Sequence, residues 1–148
     1  MSTFIGKIEA KLDDKGRVFV PAVYRRILSE QGDKRIILHR DLENECLVFY
    51  PEHVWNNKVS ALQSVLDEWD NNDQLLLMQF VSDAEVLELD NQGRVLISRK
   101  TLDTISAGQD LLFVGMIDRF ALWNPVNFAE HRLNQSDLAA QLKRRLQS

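Results

Sequence analysis

Leu12-Asp13-Asp14-Lys15-Gly16-Arg17-Val18-Phe19-Val20 and Leu89-Asp90-Asn91-Gln92-Gly93-Arg94-Val95-Leu96-Ile97 are one phrase written twice, with Gly93 lying 77 positions after Gly16. Each copy sets an aspartate four positions before an arginine, a glycine just before that arginine, and a β-branched or aromatic run after it. Self-similarity at a fixed offset is the mark of a duplicated structural unit. Glycine tolerates positive φ, and aspartate can hydrogen-bond its own nearby backbone, so the shared Asp-x-x-Gly-Arg segment is expected to be a tight turn between two strands.

The repetition extends outward. Phe49-Tyr50-Pro51 and Trp123-Asn124-Pro125 occupy matching places, but Pro125 follows Pro51 by 74 positions, so the second copy is about three residues shorter between turn and proline. A loop near Gln31–Lys34 is the simplest place for that change. Before the first turn, Ile5–Leu12 mixes apolar and charged residues as a half-exposed strand does, and Arg17–Val20 should return beside it as a hairpin. Pro21, which cannot donate to a sheet, opens a short helix running to Ser29 and ending near Gly32. Arg35–His39 and Cys46–Tyr50 form a second hairpin. From Pro51 to about Asp70 the apolar residues recur at helical spacing, Asn71-Asn72-Asp73 marks an interruption, and the apolar run Leu75–Phe80 suits either helix or strand.

The second half replays this order. Ala84–Leu89 and Arg94–Ile97 flank the turn, Ser98–Ile105 stands for the short helix, and Leu111–Val114 and Phe120–Trp123 are the following strands. Asn124 caps a helix that begins at Pro125. Ser136 is expected to cap a last helix with a Leu138, Leu142, Leu146 stripe, on which Lys143-Arg144-Arg145 suit the negative end of the helix dipole. The organisation expected is a first repeat at 5–55, a helical linking segment at 56–81, a second repeat at 82–128 and a C-terminal helix at 129–148.

The 148 residues, 45% hydrophobic and 27% charged, describe a globular protein rather than a disordered one. The N-terminal residues lack the apolar core of a signal peptide and no run approaches a membrane span, so a cytoplasmic location is expected. Cys46 is the single cysteine and is read as a small core residue. His39, His53 and His131 lack the i, i+3 or i+4 spacing of helical metal ligands, and phosphate-loop, dinucleotide and nucleophile-elbow motifs are absent. Neither an enzyme, nor a metal, nor a cofactor is indicated.

Net charge is −4, but it is unevenly spread: residues 1–40 carry +4, residues 41–90 carry −11 and residues 91–148 carry +3. Both Gly-Arg turns adjoin the basic stretches. Asp13 and Asp90 are better explained as ion partners of Arg17 and Arg94 than as acid-base catalysts, since a carboxylate beside a guanidinium stays ionised and aims it. Arg17, with Lys15 and Lys11 nearby and Arg25-Arg26 in the helix that follows, makes a cationic group fit for phosphates or the edge of guanine. Several such turns side by side in an oligomer would add their attraction for DNA.

Two Asp-x-x-Gly-Arg turns with matching aromatic-x-Pro ends, Phe49-Tyr50-Pro51 and Leu122-Trp123-Asn124-Pro125, resemble the MraZ family of bacterial transcriptional regulators over nearly the whole chain. The resemblance implies an α+β, mainly β fold: a pseudo-duplicated AbrB-like swapped-hairpin β-barrel with flanking helices. It further implies a nucleoid-associated homo-oligomeric ring that binds double-stranded promoter repeats of the cell-division and cell-wall gene cluster it leads, and represses that cluster. The family's DNA-contacting arginine and its aspartate partner fall on Arg17 and Asp13 and on Arg94 and Asp90; from the local charge Lys15 and Lys11 join the expected DNA-binding set, and Gly16 and Gly93 the turn-stabilising one. Two departures bear on this. Ser98 stands where the family has proline and Gln92 stands opposite Lys15, so the second turn is expected to bind more weakly, and the linking segment is unusually acidic, with Asp67, Glu68, Asp70 and Asp73 together. An antitoxin-like AbrB module and a ring protein without DNA affinity are the rival readings.

Overall fold

A computed structural model describes residues 2–147; Ser148, the end of the expected C-terminal segment, lies outside them. In chain order the elements are β1 (Lys7–Lys11), β2 (Arg17–Phe19), α1 (Ala22–Gln31), β3 (Arg35–Arg40), β4 (Cys46–Pro51), α2 (Glu52–Val65), α3 (Asn71–Ser82), β5 (Glu85–Glu88), β6 (Arg94–Leu96), α4 (Arg99–Asp103), β7 (Asp110–Gly115), β8 (Phe120–Trp123), α5 (Pro125–His131) and α6 (Gln135–Gln147). Six strands form one antiparallel sheet in the order β1-β7-β8-β4-β3-β5, and β2 pairs with β6 in a separate two-stranded ribbon. The fold is α+β. The sheet is open, with β1 and β5 as its edges rather than joined into a barrel, and helical residues outnumber strand residues, which corrects the expected β predominance.

Central strands are buried on both faces, and the alternation is visible along β4. Leu47 and Phe49 enter one apolar cluster, while Cys46, Val48 and Tyr50 enter another. Successive side chains of a strand point to opposite faces, so these clusters lie on the two sides of the sheet. The first is closed by Val18, Val20, Tyr24, Ile27, Leu28, Val95, Ile97, Leu102 and Ile105, from or beside β2, α1, β6 and α4. Phe4, Tyr24, Phe49, Phe113 and Phe120 stack at its centre with ring centroids 4.9 to 5.8 Å apart. The second is covered by α2, α3 and α5 through Trp55, Phe80 and Phe128.

The pairing departs from the simple hairpins expected at the Gly-Arg turns. β1 pairs with β7 and β2 with β6; between β1 and β2 the ladder is reduced to the Leu12–Val18 bridge, and the first turn is closed by the bond from Asp13 N–H to the Arg17 carbonyl (2.9 Å), that from Gly16 N–H to the Asp13 carbonyl (3.2 Å) and the Asp13 side chain. Five residue pairs with β7 give β1 a longer ladder than the three-residue β2 could offer. The β3–β4 hairpin forms as expected.

Three further expectations are corrected. Asn71-Asn72-Asp73 begins α3 instead of interrupting a helix, because the Asp70 side chain accepts from Asn72 N–H and supplies the cap. Asn134, not Ser136, caps the last helix, accepting from Asp137 N–H at 2.8 Å. The shortening of the second copy is not confined to a loop: α4 has 5 residues where α1 has 10. From glycine to the strand after the short helix, Gly93 to Asp110 is 17 positions against 19 for Gly16 to Arg35, and from the start of the first strand of each hairpin to the start of the second, β7–β8 is one position shorter than β3–β4.

Candidate nucleic-acid interface

Each Gly-Arg turn is built by its own aspartate. One oxygen of Asp13 accepts the backbone N–H groups of Lys15 (3.0 Å) and Arg17 (2.8 Å), and the other accepts Arg17 Nε (2.6 Å). Asp90 repeats the arrangement with Gln92 N–H (2.9 Å), Arg94 N–H (2.9 Å) and Arg94 Nε (2.8 Å). The backbone N–H of each arginine is the leading influence that holds the carboxyl below its ordinary value, with the guanidinium adding to it. Because only Nε is committed, the Nη ends of both guanidinium groups carry no hydrogen bond among the described residues. A fork held at its base and open at its tip is suited to a phosphate or a guanine edge.

Glycine is required at both turns, for different reasons. Gly16 and Gly93 both have φ of +85°, where L side chains are strained. A Cβ at Gly16 would lie 2.6 Å from the Ile97 carbonyl oxygen, a backbone atom that cannot step aside. A Cβ at Gly93 would lie 2.0 Å from Nη1 of Arg25, whose side chain is laid across the second turn. Arg25 Nε is buried there without a hydrogen-bond partner among the described residues.

The two turns are laced to each other. Val20 N–H donates to the Gly93 carbonyl (3.0 Å) and Ile97 N–H donates to the Gly16 carbonyl (2.9 Å). Between these bonds lies the β2–β6 ribbon, in which Arg17 stands opposite Leu96 and Phe19 opposite Arg94. The exposed Phe19 ring lies under the Arg94 guanidinium, 5.7 Å from centroid to Cζ. That contact stiffens Arg94 and has no counterpart at Arg17, which faces a leucine.

The structure thus brings Arg17, Arg94, Asp13, Asp90, Gly16 and Gly93 into one pair of linked turns, with Lys15 exposed on the first. Lys11 is drawn aside, ion-paired with Asp110 across β1–β7. Sequence reasoning missed Phe19, although period 2 places it beside Arg17 on the face opposite the buried Val18. It took Arg25 only as nearby charge. The position over Gly93 is set by contact between halves, for which the sequence carries no local signal.

Other titratable groups serve structure. Burial pushes the Cys46 thiol up to about 12. His39 is buried, stacked on Phe80 and Trp55, with Nδ1 2.8 Å from the Arg40 carbonyl and Nε2 2.9 Å from that of Phe80. His53 pairs with Asp33 at 2.8 Å, and His131 Nδ1 lies 2.7 Å from the Asn127 carbonyl. Among the described residues no His, Cys, Asp and Glu group could hold a metal, and no helix is long and apolar enough to cross a membrane.

A duplicated α+β protein that presents two aspartate-braced arginines on interlaced turns is the class defined by this geometry. The chain belongs to the MraZ family: residues 3–75 and 80–148 match the family described as "MraZ protein, putative antitoxin-like". Among its relatives, the protein named Transcriptional regulator MraZ from Bacteroides fragilis is 42% identical over 123 residues, covering 83% of this chain and 78% of that one. Its namesake from Phocaeicola vulgatus is 43% identical over 121 residues (82% and 79%), and that from Xylella fastidiosa is 32% identical over 137 residues (92% and 90%).

Proposed function

We propose that this protein is a sequence-specific DNA-binding transcriptional regulator, not an enzyme, that represses its own cell-division and cell-wall gene cluster by gripping promoter repeats through Arg17 and Arg94. The observation that carries the reading is the pair of guanidinium tips left open while their bases are pinned by Asp13 and Asp90. Relatives named as transcriptional regulators support it. Lys15 adds phosphate attraction at the first turn, Arg25 takes that part at the second, where Gln92 supplies no charge, and Lys11 contributes less because Asp110 partly neutralises it. The turns then differ less in charge than the Lys15–Gln92 exchange suggests.

In this reading the repeats at 5–55 and 82–128 form two interlocking units, 56–81 links them, and the C-terminal helix follows. Chains assemble as a homo-oligomer, a ring, that multiplies the turns along DNA. The protein acts in the cytoplasm at the nucleoid and needs neither metal nor cofactor.

The test is binding to DNA from just upstream of the protein's own gene, over a salt series, with wild type, Arg17→Ala, Arg94→Ala and the double variant. Each single variant is expected to weaken binding and the double to abolish specific binding. Loss of one phosphate contact lowers the slope of log affinity against log salt by about 0.9. Full affinity in the double variant would overturn the mechanism. Arg25→Ala is expected to weaken binding less than Arg94→Ala.

A further inference from the structure

The last helix carries an apolar stripe that stays exposed. Leu138, Leu142 and Leu146 of α6 are all exposed, and no described residue of α6 is buried. At 100° per residue these leucines fall within one narrow sector, with Lys143 beside it. A helix with such a stripe needs a partner surface to cover it.

An unfilled surface of matching character lies between α2 and α3. There an open groove of about 650 Å³ is lined mainly by apolar groups, among them Leu42, Ala61, Leu62, Leu76 and Phe80, with Lys58 and Asp83 as its charged members. Beyond Lys58 the α2–α3 hairpin that carries it is acidic. From Val59 to Gly93 the chain has no Lys, Arg or His, while Asp67, Glu68, Asp70 and Asp73 cluster where α2 joins α3. Leu75, Met78 and Val81 leave further apolar surface exposed on α3.

We infer that the groove between α2 and α3 receives α6 of a second copy of this chain, the leucines entering the groove and the basic flank meeting the acidic α2–α3 junction. Two features select this occupant. The stripe and the groove are each incomplete, and the basic end of α6 is opposite in charge to the acidic α2–α3 junction. Such a contact is heterologous: groove and helix are different patches of one chain, so each protomer offers both and the contacts propagate until a rotation closes them. The inference rests on the reading of the protein as a homo-oligomer and names the surfaces that build it.

Two measurements on the full-length chain test it. In the first, chains carrying Leu142→Cys and differently sized tagged chains carrying Leu76→Cys are mixed and oxidised. A disulfide-linked product of mixed size is expected. Cys46 stays out of the exchange because it is buried and its thiol is pushed up to about 12. In the second, Leu138→Glu/Leu142→Glu is compared with wild type by light scattering. The variant is expected to fall to smaller species with unchanged circular dichroism, as neither altered side chain is buried in the chain itself.

The inference is overturned if the mixed-size cross-link does not form, or if the variant keeps the wild-type mass. A wild-type chain that is monomeric at micromolar concentration overturns it too. The DNA reading fails separately, when wild type of any mass shows no affinity for the upstream DNA.

Discussion

Asp13 and Asp90 each receive two backbone N–H groups and one guanidinium N–H, and this concentration of donors on one carboxylate has a pH consequence. Their folded-state values lie below the ordinary 3.8. A depressed carboxyl stabilises the fold above its unfolded value and loses that contribution as pH falls through the folded value. Stability of the wild type should therefore decline below about pH 4, and Asp13→Asn/Asp90→Asn should flatten that decline, as read from urea midpoints at stepped pH. The glycines make a contrasting pair. Gly16→Ala sets a methyl against a carbonyl oxygen, whereas Gly93→Ala mainly displaces a long side chain, so Gly16→Ala should lower the melting temperature more. Both carry the cost of positive φ, about 1–2 kcal/mol. The motif was legible because an Asp-x-x-Gly-Arg turn is made within five residues of chain. Phe19 beneath Arg94 and Arg25 across Gly93 were not, because each joins residues from different halves.

Among the elements, β4 gives the core its two-sided character. Phe49 is fully buried, stacked on Phe120 at 5.1 Å and edge-on to Phe113, so Phe49→Ala should cost about 3–5 kcal/mol in denaturant unfolding. Asn124 has a smaller but separable part. Its side-chain oxygen accepts from Val126 and Asn127 while its amide donates to the Ser106 carbonyl, and Asn124→Ala should cost about 1 kcal/mol through the lost cap. Most strands and helices were readable from period, proline and cap residues, since those signals act over a few positions. The start of α3 was not. Three polar residues resemble a loop until Asp70 is seen capping them.

At the scale of the whole molecule, every strand pair except β3–β4 and β7–β8 joins one half to the other. No periodicity announces such exchange, because local pattern says which residues are buried and not which strand lies beside them. Unfolding should accordingly be one transition and not two. Urea curves followed by tryptophan fluorescence and by far-ultraviolet circular dichroism are expected to coincide. Two separated midpoints would contradict that expectation.

The lacing of Val20 to Gly93 and of Ile97 to Gly16 also has a meaning in time. On the ribosome, β1 and β2 emerge long before β7 and β6, the strands they pair with. The first arginine turn must wait, unbraced from across the ribbon, while some 77 further residues are synthesised. The cost of closing so long a loop is met before the contacts that repay it. A nascent or prematurely ended chain that contains Arg17 but not β6 and β7 therefore has an unfinished first turn. On the proposed function, competence is conferred late in synthesis, and unfinished chains are expected not to bind DNA.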